Sequence, residues 1–216
     1  MHDFFEATDG TYGYRRIHSD LVAEAAQCSP ELVRQIMRDE HLIACQPRPF
    51  KVTAKADAEA AASMPDLVKR DFTAERPGVK CVGDITYLHT CQGFLYLTTV
   101  IDCYSKKVVG WSIADHLRTE LVEDALKNAL ATTSIEPNAV FHSGRGSVYT
   151  STNFCTLVKQ LGMRSSMGRT GVCWGDALAE SLFSNLKNER VYRTVYASKA
   201  QAHRNVIRYI FGRWRS

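Results

Sequence analysis

Three stretches with strand texture follow one another between residues 81 and 113, with no helical segment between them. Cys81 to Leu88 alternates, with Val82, Asp84, Thr86 and Leu88 on one face. Phe94 to Asp102 is rich in aromatic and β-branched residues, and Lys107 to Ile113 repeats that texture after the turn Asp102-Cys103-Tyr104-Ser105-Lys106. Connections this short, one of them closed by Gly93, join only antiparallel neighbours, so the chain is expected to contain a three-stranded meander. The period then changes. Leu121, Val122, Ala125, Leu126, Ala129 and Leu130 share a helical face, and Ala139-Val140-Phe141-His142 reads as a short buried strand. Phe154, Leu157, Val158 and Leu161 mark a second helix, followed by a strand around Met163 to Ser166. A Gly-rich loop (Gly168, Gly171, Gly175) precedes a helix from about Asp176 to Glu189, and Ile207, Ile210, Phe211 and Trp214 indicate a last helix. This order mixes hairpins with crossovers and predicts an α/β domain, a mixed sheet flanked by helices.

The amino-terminal texture is purely helical. Ile17, Leu21 and Ala25 recur at i+4, and Ser29 and Pro30 suit the N-cap and first position of a second helix. In that helix Leu32, Val33, Ile36 and Met37 form an apolar face, while Arg15, Arg16, Arg34 and Arg38 lie off the apolar faces. Two short helices with a tight turn and basic flanks resemble a helix-turn-helix, whose second helix can enter a DNA groove; a helical hairpin used only for packing would show the same pattern. Pro47-Arg48-Pro49 ends the unit, and the Ala-rich, alternately charged stretch after it reads as a linker. The expected plan is a DNA-binding segment over 1–50, a linker over 51–70 and a catalytic core over 71–216.

Composition narrows the function classes. At 216 residues there is room for one domain of catalytic size and a small appendage. The longest near-apolar run, Leu95 to Ile101, contains two Thr, and the chain opens with acids where a signal peptide needs basic and apolar residues. A cytoplasmic protein without a membrane partner is therefore expected. The seven Cys include no CxxC pair, which speaks against a zinc knuckle and for free thiols. The net charge of +4 is concentrated, because the stretch from Phe183 to Ser216 has eight basic residues against the single acid Glu189. Such a surface suits a polyanion.

Two acids stand out. Asp84 interrupts an apolar strand, where a carboxylate is costly unless paired or bound to a cation. Glu180 lies inside a helix, and the stripe Asp176, Glu180, Phe183, Lys187 runs beside the packing stripe Leu178, Leu182, Leu186. The strings Gly83-Asp84-Ile85-Thr86-Tyr87-Leu88, Gly93-Phe94-Leu95-Tyr96-Leu97, Val100-Ile101-Asp102 and Val108-Val109-Gly110-Trp111 resemble the integrase-type catalytic core of bacterial insertion-sequence transposases. So do His142-Ser143-Gly144-Arg145-Gly146-Ser147-Val148-Tyr149 and Glu180-Ser181-Leu182-Phe183. Tyr12-Gly13-Tyr14-Arg15-Arg16-Ile17 resembles the helix-turn-helix region ahead of that core. Taken in order, the strings cover nearly the whole chain.

The resemblance implies a ribonuclease-H-like fold and a two-metal phosphoryl transferase using two aspartates and a glutamate. Asp84 matches the first aspartate and Glu180 the glutamate; the position of the second aspartate is Gly144, with the family's 35 residues between it and Glu180. Magnesium takes hard oxygen ligands, and a paired-ion site holds its ions roughly 3.5–4 Å apart, a charge that three carboxylates offset better than two. Losing one preorganised electrostatic group costs about 3 kcal/mol or more in the transition state, so this copy is expected to be impaired. His142 and Asp176 are the side chains near enough in sequence to replace the missing acid, although imidazole suits manganese better than magnesium.

The resemblance further implies Mg2+ or Mn2+ as cofactor, double-stranded DNA at element ends and target as partner, and a homo-oligomer on that DNA. Arg145, Arg169 and Lys187, flanking the site, are expected to contact phosphates together with Arg15, Arg16, Arg34 and Arg38. It also implies a longer tail than the ending Arg213-Trp214-Arg215-Ser216, so the core reads as shortened at its C-terminus. Two other readings fit parts of the pattern: a catalytically inactive DNA-binding remnant that inhibits an intact transposase, and a nuclease acting on RNA–DNA hybrids.

Overall fold

The computed structural model describes residues 1–45, 64–168 and 177–213. The chain divides into two units, Met1–Phe50 with Lys187–Arg193, and Lys51–Leu186 with Thr194–Ser216.

The first unit contains α1 (His2–Ala7), α2 (Tyr14–Ala23) and α3 (Pro30–Asp39). Ser29 caps α3 as expected, its Oγ accepting from the Leu32 N–H at 3.2 Å, with Pro30 in the first turn. Ile17, Val33 and Met37 form the buried core, with Phe5, Tyr12, Tyr14 and Leu21 packed around it. The apolar face of α3 is narrower than its sequence suggests: Leu32 is 48% exposed. A helix this short buries one stripe, and Val33 and Met37, four apart, occupy it.

The second unit is built on a five-stranded sheet, with β1 (Lys80–Thr90), β2 (Gly93–Asp102), β3 (Val108–Ala114), β4 (Val140–Ser143) and β5 (Arg164–Met167). The spatial order is β3-β2-β1-β4-β5. The meander β1–β2–β3 is antiparallel, while β4 and β5 join β1 in parallel after crossovers through α4 (Thr119–Thr132) and α5 (Thr152–Gln160). The mixed sheet expected from the element order is present, with β1 at its centre.

Alternation along the strands separates two faces. On one, Cys81, Val100 and Phe141 pack with Val122, Ala125, Leu126 and Ala129 of α4 and Phe154 and Val158 of α5. Two glycines from the strings quoted above allow this close approach. A Cβ at Gly110 would lie 2.3 Å from the Ala125 carbonyl oxygen, and one at Gly83 would lie 2.4 Å from the Phe141 ring. On the other face Trp111 meets His203 and Phe211 of α7 (Lys199–Arg213) edge-on. The remaining helix is α6 (Ala177–Glu189), followed by a 3-10 turn, Val191–Arg193. Among the described residues, no helix is long and apolar enough to cross a membrane.

The chain ahead of β1 is not a free tether. Of the linker expected over 51–70, the described part from Met64 is tied to β5, where the Met167 N–H donates to the Pro65 carbonyl at 3.1 Å and the Leu67 N–H to Ser166 Oγ at 2.9 Å. Val68 is buried at 2% exposure.

Candidate active site

Parallel pairing of β1 with β4 ends at Gly83↔Ser143, so Asp84 and Gly144 are the next residues along adjacent strands. Neighbouring strands lie about 4.8 Å apart. Position 144 thus follows the paired residues next to Asp84, and it is the position at which the resemblance leads one to expect the second aspartate. Paired residues on neighbouring strands point to the same face, so the register continues the row from Asp84 through Thr99 on β2 to Trp111 on β3. This is the face that carries α7.

The row is tightly framed. The Thr98 hydroxyl bonds to the Asp84 carbonyl oxygen at 3.1 Å and to Tyr149 Oη at 3.2 Å, which ties the loop after β4 to the backbone of Asp84. Arg145 Nε donates to the Gly168 carbonyl at 2.6 Å, joining the loops that follow β4 and β5. Two polar atoms in the row, Thr99 Oγ1 and Trp111 Nε1, are buried with no hydrogen-bond partner among the described residues. Thr99 faces Asp84 directly across the ladder, so an unmet polar demand sits beside the carboxylate.

Glu180 lies in the first turn of α6, half-buried, and burial raises its pKa above the usual glutamate value. Its helix buries Ala179, Leu182, Phe183 and Leu186. Phe183, on the stripe expected to carry Glu180, is buried, whereas Leu178 of the expected packing stripe is only half-buried.

His142 is one of the two side chains expected as a substitute for an acid at position 144. It is 1% exposed, its Nδ1 lies 2.8 Å from Ser166 Oγ on β5, and Phe72 packs edge-on against its ring. Asp176, the other candidate substitute, and Arg169 lie outside the described residues. Among the described residues no group of three or more His, Cys, Asp or Glu side chains is arranged to hold a metal ion.

The basic residues fare unevenly. Arg38 is exposed. Arg15 is also exposed, its Nε donating to the neighbouring Tyr14 Oη at 3.1 Å. Arg34 is bridged to Glu31. Arg16 is engaged elsewhere: its Nη1 lies 2.6 Å from Oε1 of Glu189, a carboxylate only 5% exposed, and its guanidinium lies over the Tyr12 ring. Both partners belong to the first unit, to which Lys187 also belongs. Sequence spacing could not reveal this pair, whose members are 173 residues apart. The other buried carboxylate, Asp102, is structural. Its Oδ1 accepts from the Gly78 N–H at 3.0 Å, and its Oδ2 accepts from the Ser105 N–H and hydroxyl at 2.8 and 2.7 Å.

Comparison with known proteins agrees with this architecture. Residues 74–173 match the family described as Integrase core domain, and residues 1–50 match the family described as HTH-like domain. The InsF transposase of insertion sequence IS3A from Escherichia coli K12 is 33% identical over 214 residues, covering 98% of this chain and 74% of that relative. The transposase of insertion sequence element IS904 from Lactococcus lactis subsp. lactis IL1403 is 32% identical over 206 residues, covering 95% and 81%. Among solved structures, a chain of the simian T-cell lymphotropic virus intasome in complex with the PP2A regulatory subunit B56 gamma superposes with a TM-score of 0.50 at 16% identity. That match covers 81% of this chain and 59% of the other, and it speaks for the fold.

Proposed function

Since the chain belongs to the insertion-sequence transposases, with an HTH-like domain ahead of an integrase core domain, we propose that it binds double-stranded DNA at element ends and target. Its core is of the kind that cuts and joins strands by divalent-metal-dependent phosphoryl transfer, and this copy does so poorly. The observation that carries the reading is the register of β1 with β4, which sets Gly144 beside Asp84.

Asp84 and Glu180 are the residues that would hold Mg2+ or Mn2+, as hard oxygen donors of the type such ions take. Beside Asp84 the buried Thr99 hydroxyl has no hydrogen-bond partner among the described residues. The donor set fits a divalent ion but falls one carboxylate short of a paired-ion site, since Gly144 offers only backbone. What divalent ions supply there, when bound, is activation of the attacking oxygen and stabilisation of the leaving one. The protein's own part is to hold Asp84 on the central strand of the sheet and Glu180 on a packed helix, and to bind phosphates through Arg145, Arg169 and Lys187. In this reading Arg15, Arg34 and Arg38 bind DNA from the helical unit, Arg16 orders that unit through Glu189, and the protein works as a homo-oligomer on its DNA.

The test is cleavage of duplexes bearing the element ends in Mg2+ and in Mn2+. Gly144→Asp is expected to raise the rate by at least ~10²-fold, and Asp84→Asn in that background to abolish cleavage while leaving DNA affinity intact. Equal rates for the unaltered chain and Gly144→Asp would overturn the account of impairment. Gly144 also favours a second reading, an inactive DNA-binding remnant. On that reading, mixing the chain with an active relative lowers the relative's turnover in proportion to the chain added.

A further inference from the structure

The segment ahead of β1, Met64 to Thr73, forms a strap pinned at several points. The Pro65 carbonyl accepts from the Met167 N–H and the Leu67 N–H donates to Ser166 Oγ, the same hydroxyl that meets His142 two residues before Gly144. Met64 packs on the main core, Val68 is buried, and Phe72 packs on the His142 ring. Both acids of the strap are turned to its own backbone or to Lys80. Asp66 Oδ1 accepts from the N–H groups of Val68 and Lys69 at 3.2 and 2.8 Å. Asp71 Oδ1 accepts from the Thr73 N–H at 3.0 Å, and its Oδ2 lies 3.5 Å from Lys80 Nζ.

Between these pins lie Lys69 and Arg70, both exposed and both in the left-handed backbone region, with φ of 50° and 67°. Side-chain-bearing residues enter that region at a cost, and two in succession persist only where the surroundings hold them. Among the described residues neither makes an ion pair. Free energy is thus spent on a sharp turn that presents two adjacent cations, neither in an ion pair among the described residues, between the strap's anchor on β5 and its contact with Lys80 at the start of β1. A ligand with spaced negative charge suits such a turn, a guanidinium taking a phosphate through two parallel N–H bonds and an ammonium acting as a point charge.

We propose that Lys69 and Arg70 form a phosphate-binding turn that holds the DNA backbone against the sheet unit. The proposal rests on the transposase reading for the identity of the polyanion. It assigns a binding role to a stretch whose composition suggests only a tether.

The experiment measures binding of the full chain to a labelled duplex by fluorescence anisotropy across a NaCl series. Lys69→Gly with Arg70→Gly keeps the left-handed backbone accessible and removes both charges. Each lost phosphate contact reduces the slope of log K against log salt by ~0.9, so the double variant is expected to flatten it by about two. The swap Lys69→Arg with Arg70→Lys retains the wild-type slope. Lys127→Gln, on α4 where Lys127 is already flanked by Glu123 and Asp124, leaves the slope unmoved. A wild-type slope in the double glycine variant overturns the strap proposal and leaves the transposase reading standing. So does equal flattening by Lys127→Gln, which would show only diffuse charge. Absence of salt-dependent DNA binding in the unaltered chain overturns both. Thermal melts of each variant confirm that the comparison is between folded proteins.

Discussion

In the helical unit the buried apolar core is Ile17, Val33 and Met37, and charges are paired around it: Arg16 with Glu189, and Arg190 with Asp9. In the sheet unit the core interleaves two helices with strand residues from Cys81 to Met167, and its one fully buried carboxylate, Asp102, is satisfied by backbone and hydroxyl donors rather than by a cation. The difference follows from size. A short helical unit cannot bury enough apolar surface to stand on that alone, whereas a sheet covered by helices can. A buried carboxylate is therefore met by a cation in one unit and by backbone and hydroxyl donors in the other. The three Trp, at 111, 174 and 214, all fall in the sheet unit, so Trp fluorescence reports that unit while far-UV circular dichroism reports helices in both.

The largest effect is expected from Phe141→Ala. The ring is 2% exposed, packs against Tyr149 and Phe154, and fills the space left by Gly83. Its loss should cost about 3–5 kcal/mol, lower the Trp-monitored midpoint in urea, and be insensitive to salt. A loss under about 1 kcal/mol would mean the sheet core is looser than its burial indicates.

Arg16→Ala probes the other unit. It removes one cation from the buried Glu189 carboxylate, and a buried pair broken in a dry interior costs about 3–5 kcal/mol. Arg16 is itself 39% exposed, so solvent already screens the pair and about 2 kcal/mol is the expected loss. Glu189→Gln should cost less, because the arginine left behind can rehydrate. Circular dichroism should show the change, the Trp signal should not, and 1 M NaCl should narrow the gap between variant and wild type. Equal costs for the two substitutions would show that packing rather than charge holds the helical unit.

How much of this was legible beforehand depends on the range of the interaction. Every strand was visible to within two residues because strand texture is local, and Ser29-Pro30 marked the start of α3 by its capping chemistry alone. The site was half legible. Asp84 and Gly144 came from ordered strings, and their adjacency follows from one parallel pairing that no local pattern encodes. What escaped was long-range or backbone-determined. Glu189 was one acid in a basic run until the fold set it against Arg16. Lys69 and Arg70 were tether residues until their left-handed turn and its anchors on β5 were seen. Helix α1, six residues with no buried side chain, is shorter than any amphipathic period can announce.

The smallest expected effect separates the units by pH. Burial pushes the Cys103 thiol up to about 11 and the Cys81 thiol further still, both in the sheet unit. A thiol whose folded pKa is raised binds its proton more tightly in the native state than in the unfolded one. It therefore leaves stability untouched below the ordinary value of 9.0 and removes it as pH rises beyond. At pH 9 the expected loss is about 0.4 kcal/mol for each thiol, read as a lower Trp-monitored midpoint than at pH 8. Cys81→Ala with Cys103→Ala should abolish the drop while lowering stability at both pH values through the small cavities left. At pH 8 a thiol reagent should label exposed Cys91 first and reach Cys81 and Cys103 only on unfolding. If the alkaline drop survives in the double alanine variant, its source is not these thiols, and the drop no longer separates the sheet unit from the helical one.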